Sequence, residues 1–389
     1  MKLSTFVKTF YISRFFFDFI FVYAVEKLLM LNRGLNLFQI GILLFLWSVM
    51  TIVLEVPTGA LADRWSRRKM LILSGLFFSW CYLVWSFSYS FWFFLLGFLL
   101  RTLGGTFASG TLQAYVFDFL KTGSKEEQFE KIWGKGNAFR TLGIGLAVGL
   151  GGFISEVSFS LTALLSSLAV LVVSLTVFFW PELKPVKSTE ETKYWQFIKD
   201  AGKTVWCNKN LLQLTLYTAL VLAVLGSLEE YNDVYLNFLG FSRSAIGLIF
   251  SAACVLQSIA SSMAYKFKQF SRMILNGSAV VAVMVLLAVS LFKTPLMAIA
   301  ILSLGVILEF VSVLKEGLVQ KEIKSYQRAT VSSVNELLMN LLPYQLLFGF
   351  LANKQSLLLG YRYLALFVLF YPFFLLFLGR SRDPETSSG

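Results

Sequence analysis

The chain has 389 residues, 57% of them hydrophobic and only 14% charged, with a mean hydropathy of +0.71. Soluble domains carry about 25% charged residues, so a water-soluble fold is excluded, and the 40 Phe suit lipid-facing helix surfaces and interfacial belts. The net charge of +12 is not a nucleic-acid surface, because the cations gather in alternate loops, and the absence of any His leaves proton relays to Asp, Glu and water.

Apolar runs of about 20 residues read as spans, and about twelve occur. They cover 6–30, 37–58, 70–88, 91–119, 131–153 and 160–180, then 209–237, 243–265, 271–292, 295–320, 328–351 and 357–379. Continuous runs exclude a β-barrel, whose strands alternate over short segments. The expected fold is therefore an all-α membrane protein of two six-helix halves, 1–180 and 209–380, followed by a tail at 381–389. Between the halves lies a polar linker, 181–208, where Pro181 and Pro185 stop the preceding helix. Tyr194, Trp195, Phe197, Ile198 and Val205 give that linker the pattern of an amphipathic helix on the membrane surface.

The loops carry an orientation signal. Even connections hold Arg64 to Lys69, Lys121 to Lys135, Lys184 to Lys209, Lys266 to Arg272 and Lys321 to Arg328. Odd connections are thin in cations, Lys293 standing alone between spans 9 and 10. By the positive-inside rule the even loops and both termini are expected to be cytoplasmic. Lys2 and Lys8 precede an apolar run with no small-residue cleavage site, so no cleaved signal is expected. Cys81, Cys207 and Cys254 show no paired spacing, so neither a disulfide framework nor a metal site is expected, and no cofactor.

Between spans 2 and 3 stands Gly59-Ala-Leu-Ala-Asp63-Arg64-Trp-Ser-Arg67-Arg68-Lys69, four cations and one acid in a short turn. This pattern resembles the signature loop of the major facilitator superfamily and departs from it only at Ser66, where the family has Gly. A left-handed backbone at Ser66 would cost about 1 kcal/mol. The resemblance implies that spans 1, 4, 7 and 10 line a central cavity. It also implies that Asp63 faces the start of span 11 near Arg328-Ala-Thr330, and that Arg64 or Arg67 pairs with Asp118 at the end of span 4. Gly59, Asp63, Arg64, Arg67, Arg68 and Asp118 would then form a conformational latch; the alternative is a simple orientation signal.

The four spans that the resemblance points to also hold most of the embedded charge: Arg14, Asp18 and Glu26; Arg101; Glu229, Glu230 and Asp233; Glu309, Lys315 and Glu316. Arg101 lies about ten residues into its span, roughly 15 Å deep, where an ionisable residue is a functional candidate. Asp18 is its expected partner, with an intrahelical Arg14–Asp18 pair as the competitor. Glu26, two turns beyond Asp18, continues that face. Arg101 to Gly110 resembles the family's span-4 motif, with Gly104 in place of its Gln. Gly143, Gly151 and Gly152 partly match the family's antiporter motif, but Ala147-Val148 replace its Gly-Pro, and a glycine stripe is equally ordinary helix packing.

The expected function is secondary transport by alternating access, with a small-molecule substrate near the midplane. Arg14, Asp18, Glu26, Arg101, Tyr115, Tyr217 and Glu309 are the candidate cavity residues. Asp18, Glu229, Glu230 and Glu309 are the candidate proton carriers. Proton-coupled efflux of amphipathic or cationic compounds by a monomer leads; nutrient uptake or lipid flipping is the alternative. A membrane-embedded enzyme or receptor is the third reading, and no zinc motif, nucleophile–base pair or soluble domain supports it; no ATP-binding loop occurs either, so a primary pump is not expected.

Overall fold

The computed structural model describes residues 1–183, 208–322, 339, 342–354 and 356–380. The proposed amphipathic linker helix and the Arg328-Ala-Thr330 turn lie outside these residues. Within them the chain is helical, as the apolar runs require: α1 (Leu3–Phe17), α2 (Glu26–Asn32), α3 (Leu37–Arg64), α4 (Arg67–Phe87), α5 (Phe91–Ala108), α6 (Thr111–Thr122), α7 (Phe129–Val157) and α8 (Phe159–Phe178). There follow α9 (Lys209–Tyr217), α10 (Ala223–Glu229), α11 (Asn232–Phe238), α12 (Arg243–Met263), α13 (Ser271–Leu291), α14 (Met297–Glu322), α15 (Tyr344–Lys354) and α16 (Leu357–Arg380).

Nine segments of the described residues are long and apolar enough to cross a membrane, and one of these, Arg243–Leu291, contains both α12 and α13. Ten of the twelve runs are thereby accounted for. Of the other two, 328–351 falls largely outside the described residues, and 6–30 is broken into shorter pieces.

The described residues fall into two compact units, one drawn from 1–191 and 241–255, the other from 192–240 and 256–389. The start of α12 thus packs with the first unit, although its run belongs to the second half of the sequence.

Three runs that look continuous in sequence are interrupted. Run 1 leaves helical geometry at Asp18 (φ −122°) and Ile20 (φ −116°, ψ 103°), passes through a 3-10 turn at Phe21–Val25 and resumes as α2. Run 4 breaks at Ser109 and Gly110, where φ of +65° needs a residue without Cβ. Run 7 contains a π-helical turn, Thr218–Leu222, and a second break between Glu229 and Asn232. An amide freed in a membrane span has to find a new partner. That of Val22 donates to buried Ser166 Oγ on α8 at 3.1 Å.

The turn between α3 and α4 corrects one expectation. Ser66 is not left-handed: it is extended (φ −71°, ψ 117°) and its hydroxyl accepts from Lys69 N at 3.2 Å, capping α4. Ser is a preferred N-cap residue, so Ser in place of Gly costs this turn nothing.

The glycines of α7 are places of close approach. A Cβ on Gly143 would stand 2.3 Å from the Phe15 carbonyl oxygen, one on Gly151 1.9 Å from that of Phe21, and one on Gly152 2.5 Å from that of Arg243. These neighbours are backbone and have little room to give. Gly151→Val is therefore expected to lower the stability of the chain by about 1–3 kcal/mol. Gly145→Ala, whose new carbon meets nothing nearer than 3.9 Å, is expected to change it little. Thermal melts of the full chain followed by tryptophan fluorescence compare the two.

Candidate functional site

A cavity of about 320 Å³ opens in the first unit where the breaks of runs 1 and 4 meet α3, α4 and α7. Phe17, Tyr23, Trp47 and Phe78 give it aromatic walls, and Asp18, Glu55, Arg101 and Arg140 give it charge. The α1 break places Asp18, and the Ser109–Gly110 break places the Ser109 hydroxyl 3.1 Å from Glu55 Oε1.

The ion pairs differ from the expected ones. Asp18 meets Nε of Arg140 on α7, and Arg101 reaches Glu26 at 3.1 and 3.3 Å. Neither an Asp18–Arg101 nor an Arg14–Asp18 pair forms. Both expectations assumed one continuous helix from residue 6 to 30. The break turns the chain between Asp18 and Glu26, so the two acids no longer share a face and each finds its own guanidinium. Glu26 is only 1% exposed and also lies 3.4 Å from Lys27 Nζ. Arg101 is held on its flat faces by Trp47 at 4.4 Å and Tyr23 at 5.1 Å, centroid distances that allow cation–π attraction.

Arg14 is buried beside the cavity, not in its wall. Nη2 donates to Asn137 at 2.7 Å, the guanidinium lies 5.3 Å from the Trp133 ring, and Nε has no hydrogen-bond partner among the described residues. Tyr115 sits elsewhere in the same unit: its hydroxyl donates to the Pro181 carbonyl at 2.5 Å, and its ring stacks on Trp180 at 5.2 Å. It does not line the cavity.

In the second unit Glu229, at the end of α10, accepts from Gln257 Nε2 of α12 at 2.7 Å. Gly305 of α14 makes room for the pair, since a Cβ there would stand 2.5 Å from both polar atoms. Glu230 follows as the C-cap of α10, and Glu309 is exposed one turn beyond Gly305. Tyr217 is buried, its hydroxyl 2.7 Å from Ser278 Oγ and its ring 5.1 Å from that of Tyr371.

Of the candidate latch residues, Arg67 meets Asp118 directly, while Arg68 contacts the Phe178 carbonyl and lies 3.5 Å from Glu182. Gly59, Asp63 and Arg64 lie in the last turns of α3.

The sequence reading missed Arg140, Trp47, Thr51 and Gln257. Arg140 is open to the same depth argument as Arg101, since it stands about ten residues into its apolar run. Trp47 and Thr51 give no such signal, because aromatics and hydroxyls are common on every membrane helix.

Deleting one member of a buried ion pair strands the other. Glu26→Ala is expected to cost about 3–5 kcal/mol, and Glu26→Leu combined with Arg101→Leu is expected to cost less than Glu26→Ala alone. Unfolding of the purified chain against SDS concentration measures both.

The family model described as Major Facilitator Superfamily matches residues 9–344. The tetracycline resistance protein, class B, of Escherichia coli is 28% identical over 284 residues, 64% of this chain and 66% of that one. The uncharacterized MFS-type transporter YxaM of Bacillus subtilis (strain 168) is 25% identical over 239 residues, 58% of this chain and 56% of that one. The match thus spans less than two thirds of either relative's length. Among solved structures, a mutant form of the nucleoside transporter NupG has a TM-score of 0.80 at 12% identity, over 98% of this chain and 99% of that one. A bacterial homolog of the human lysosomal transporter Spinster, inward-facing and unoccupied, has a TM-score of 0.74 at 14% identity, over 98% of both chains.

Proposed function

The chain belongs to the major facilitator superfamily, and we propose that it is a proton-coupled exporter of small amphipathic or cationic compounds. Family membership makes it a multi-pass membrane transporter and not an enzyme; direction, coupling ion and substrate class go further. The observation that carries the reading is the cavity at the two helix breaks, where aromatic walls surround an acid–base cluster. Irregular backbone inside a membrane is tolerated where it lines a site, and such breaks mark substrate and ion sites in transporters.

Asp18 in the first unit and Glu229, Glu230 and Glu309 in the second are the proton carriers of this proposal. Asp18 is held by Arg140 and Glu229 by Gln257, so a proton arriving at either carboxylate loosens a specific partner. Export is favoured by the relative named as a tetracycline resistance protein, because a transporter confers resistance by lowering the internal concentration of a compound. Uptake is the second reading, favoured by Ala147-Val148 where the family's antiporter pattern has Gly-Pro. The Arg67–Asp118 contact supports a latch role for Gly59, Asp63, Arg64, Arg67, Arg68 and Asp118, whose effect depends on contacts that differ between states. The proposed setting is a bacterial plasma membrane, with a monomer whose termini are both cytoplasmic.

Flux into or out of proteoliposomes under an imposed pH gradient tests coupling and direction together. The Asp18→Asn, Glu229→Gln, Glu230→Gln triple variant is expected to lose gradient-driven flux and keep substrate exchange at zero gradient. Full pH-driven flux in that variant would remove these acids from the mechanism. Orientation has its own readout: Cys at Lys268 is expected to be shielded from an impermeant thiol reagent in intact cells, and Cys at Lys354 to react. The reverse labelling would place the termini outside.

A further inference from the structure

The cavity in the first unit presents two charges that its internal ion pairs leave open. Asp18 engages only Nε of Arg140; the two terminal nitrogens have no hydrogen-bond partner among the described residues, and the side chain is 44% exposed. A guanidinium used at Nε alone still offers a planar pair of donors, the geometry that takes a carboxylate in bidentate fashion. Glu55 is the second. It is exposed into the cavity, its contact is the neutral Ser109 hydroxyl, and no cation among the described residues pairs with it. A carboxylate among apolar helices without a counter-charge is costly, and a ligand cation would supply one.

The rest of the lining is already spoken for. Arg101 is occupied by Glu26 and by the faces of Trp47 and Tyr23. The hydroxyls of Thr51, Thr102 and Thr106 donate back to their own helices at 2.9, 2.8 and 3.0 Å. Apart from the charged groups the wall therefore offers methyls and the rings of Phe17 and Phe78. A volume of about 320 Å³ is at the small end of ligand sites, enough for one ring system with short charged arms.

We infer that this cavity takes a dipolar ligand, with an aromatic body between a cationic group at Glu55 and an anionic group at the Arg140 fork. The inference rests on reading the cavity as the transporter's substrate site and narrows the class of substrate it admits. A simple cation would satisfy Glu55 but face two guanidinium groups with nothing to match Arg140. A simple anion would match Arg140 and be opposed by Glu55. Only a molecule with both charges answers both ends.

Three probes of one shape separate these cases: 2-naphthylalanine, which carries both charges; its amide, which keeps only the cation; and its N-acetyl derivative, which keeps only the anion. Binding to the full chain in nanodiscs is read by quenching of tryptophan fluorescence. The dipolar probe is expected to bind about tenfold tighter or more than either relative, since each lost arm removes one charge-assisted contact. Glu55→Gln is expected to weaken the dipolar probe and the amide and spare the N-acetyl compound. Arg140→Lys, which keeps a cation beside Asp18 but loses the fork, is expected to weaken the dipolar and N-acetyl probes and spare the amide. Equal affinities, a preference for the amide, no binding of any probe, or an unchanged ranking in Glu55→Gln overturns the inference. The proton-coupled export reading fails separately. The expected binding pattern without pH-driven flux of the dipolar probe would overturn export alone. Flux of the amide that is indifferent to Glu55→Gln would overturn the dipolar site and leave export standing.

Discussion

Inside hydrocarbon, a backbone that leaves helical geometry must re-pair every group it frees, because each unpaired one costs several kcal/mol. The interruption after Phe17 meets that demand locally: Ile20 N donates to the Asp18 carbonyl at 2.9 Å, and Val22 N reaches Ser166 across to α8. Once the break is satisfied, it sets the direction of everything around it. Asp18 is released from the α1 face toward Arg140, and Glu26 starts a new helix that carries it to Arg101. The cavity exists because run 1 and run 4 both stop being straight helices at its wall.

Much of the fold was legible because the hydrophobic pattern alone decides where a chain crosses a bilayer. Among the described residues most of the apolar runs coincide with helical segments, and the charged turn expected between spans 2 and 3 falls between α3 and α4. The breaks were not legible in the same way. Asp18-Phe-Ile20 contains neither Pro nor Gly, and the amide of Val22 just beyond it pairs with the Ser166 hydroxyl, 144 residues further along the chain. With the break unseen, a depth count along an ideal helix paired Asp18 with the wrong arginine. Arg101 and Asp18, which both line the cavity, were identifiable as candidates, since an embedded charge is conspicuous in sequence whatever its partner. Tyr115 shows the opposite failure: a Tyr on a cavity-lining run, spent on holding Pro181.

Glycine does two different jobs in the two units. On α7 it lets backbone meet backbone, with Gly143 against Phe15 in the last turn of α1, Gly151 against Phe21 at the start of the 3-10 turn, and Gly152 against Arg243 and Gly247. On α14, Gly305 leaves space for a polar pair, and any side chain there would displace Glu229 or Gln257. The first use is what a stripe of small residues on a membrane helix leads one to expect. The second is invisible without coordinates, because nothing around Gly305 in the sequence signals a polar pair reaching it from two other helices.

The proposed coupling follows from how the cavity's charges are paired. Asp18 lies against Arg140 and Glu26 against Arg101, so each charged side chain has a partner that offsets part of the cost of leaving water. Such pairs are stable and inert until something alters one member. A proton on Asp18 removes the charge that holds Arg140 and leaves its whole guanidinium open to a ligand anion. A ligand anion bound to the terminal nitrogens in turn competes with Asp18 for the same guanidinium. In this arrangement proton and anion assist each other at one guanidinium, while at Glu55 proton and ligand cation exclude each other. Binding linkage is reciprocal, so the balance between these two effects decides whether a proton gradient loads the cavity or empties it. Under the proposed coupling, loading and emptying would turn on one pair of side chains, Arg140 and Glu55, and on which of them the ligand engages more strongly.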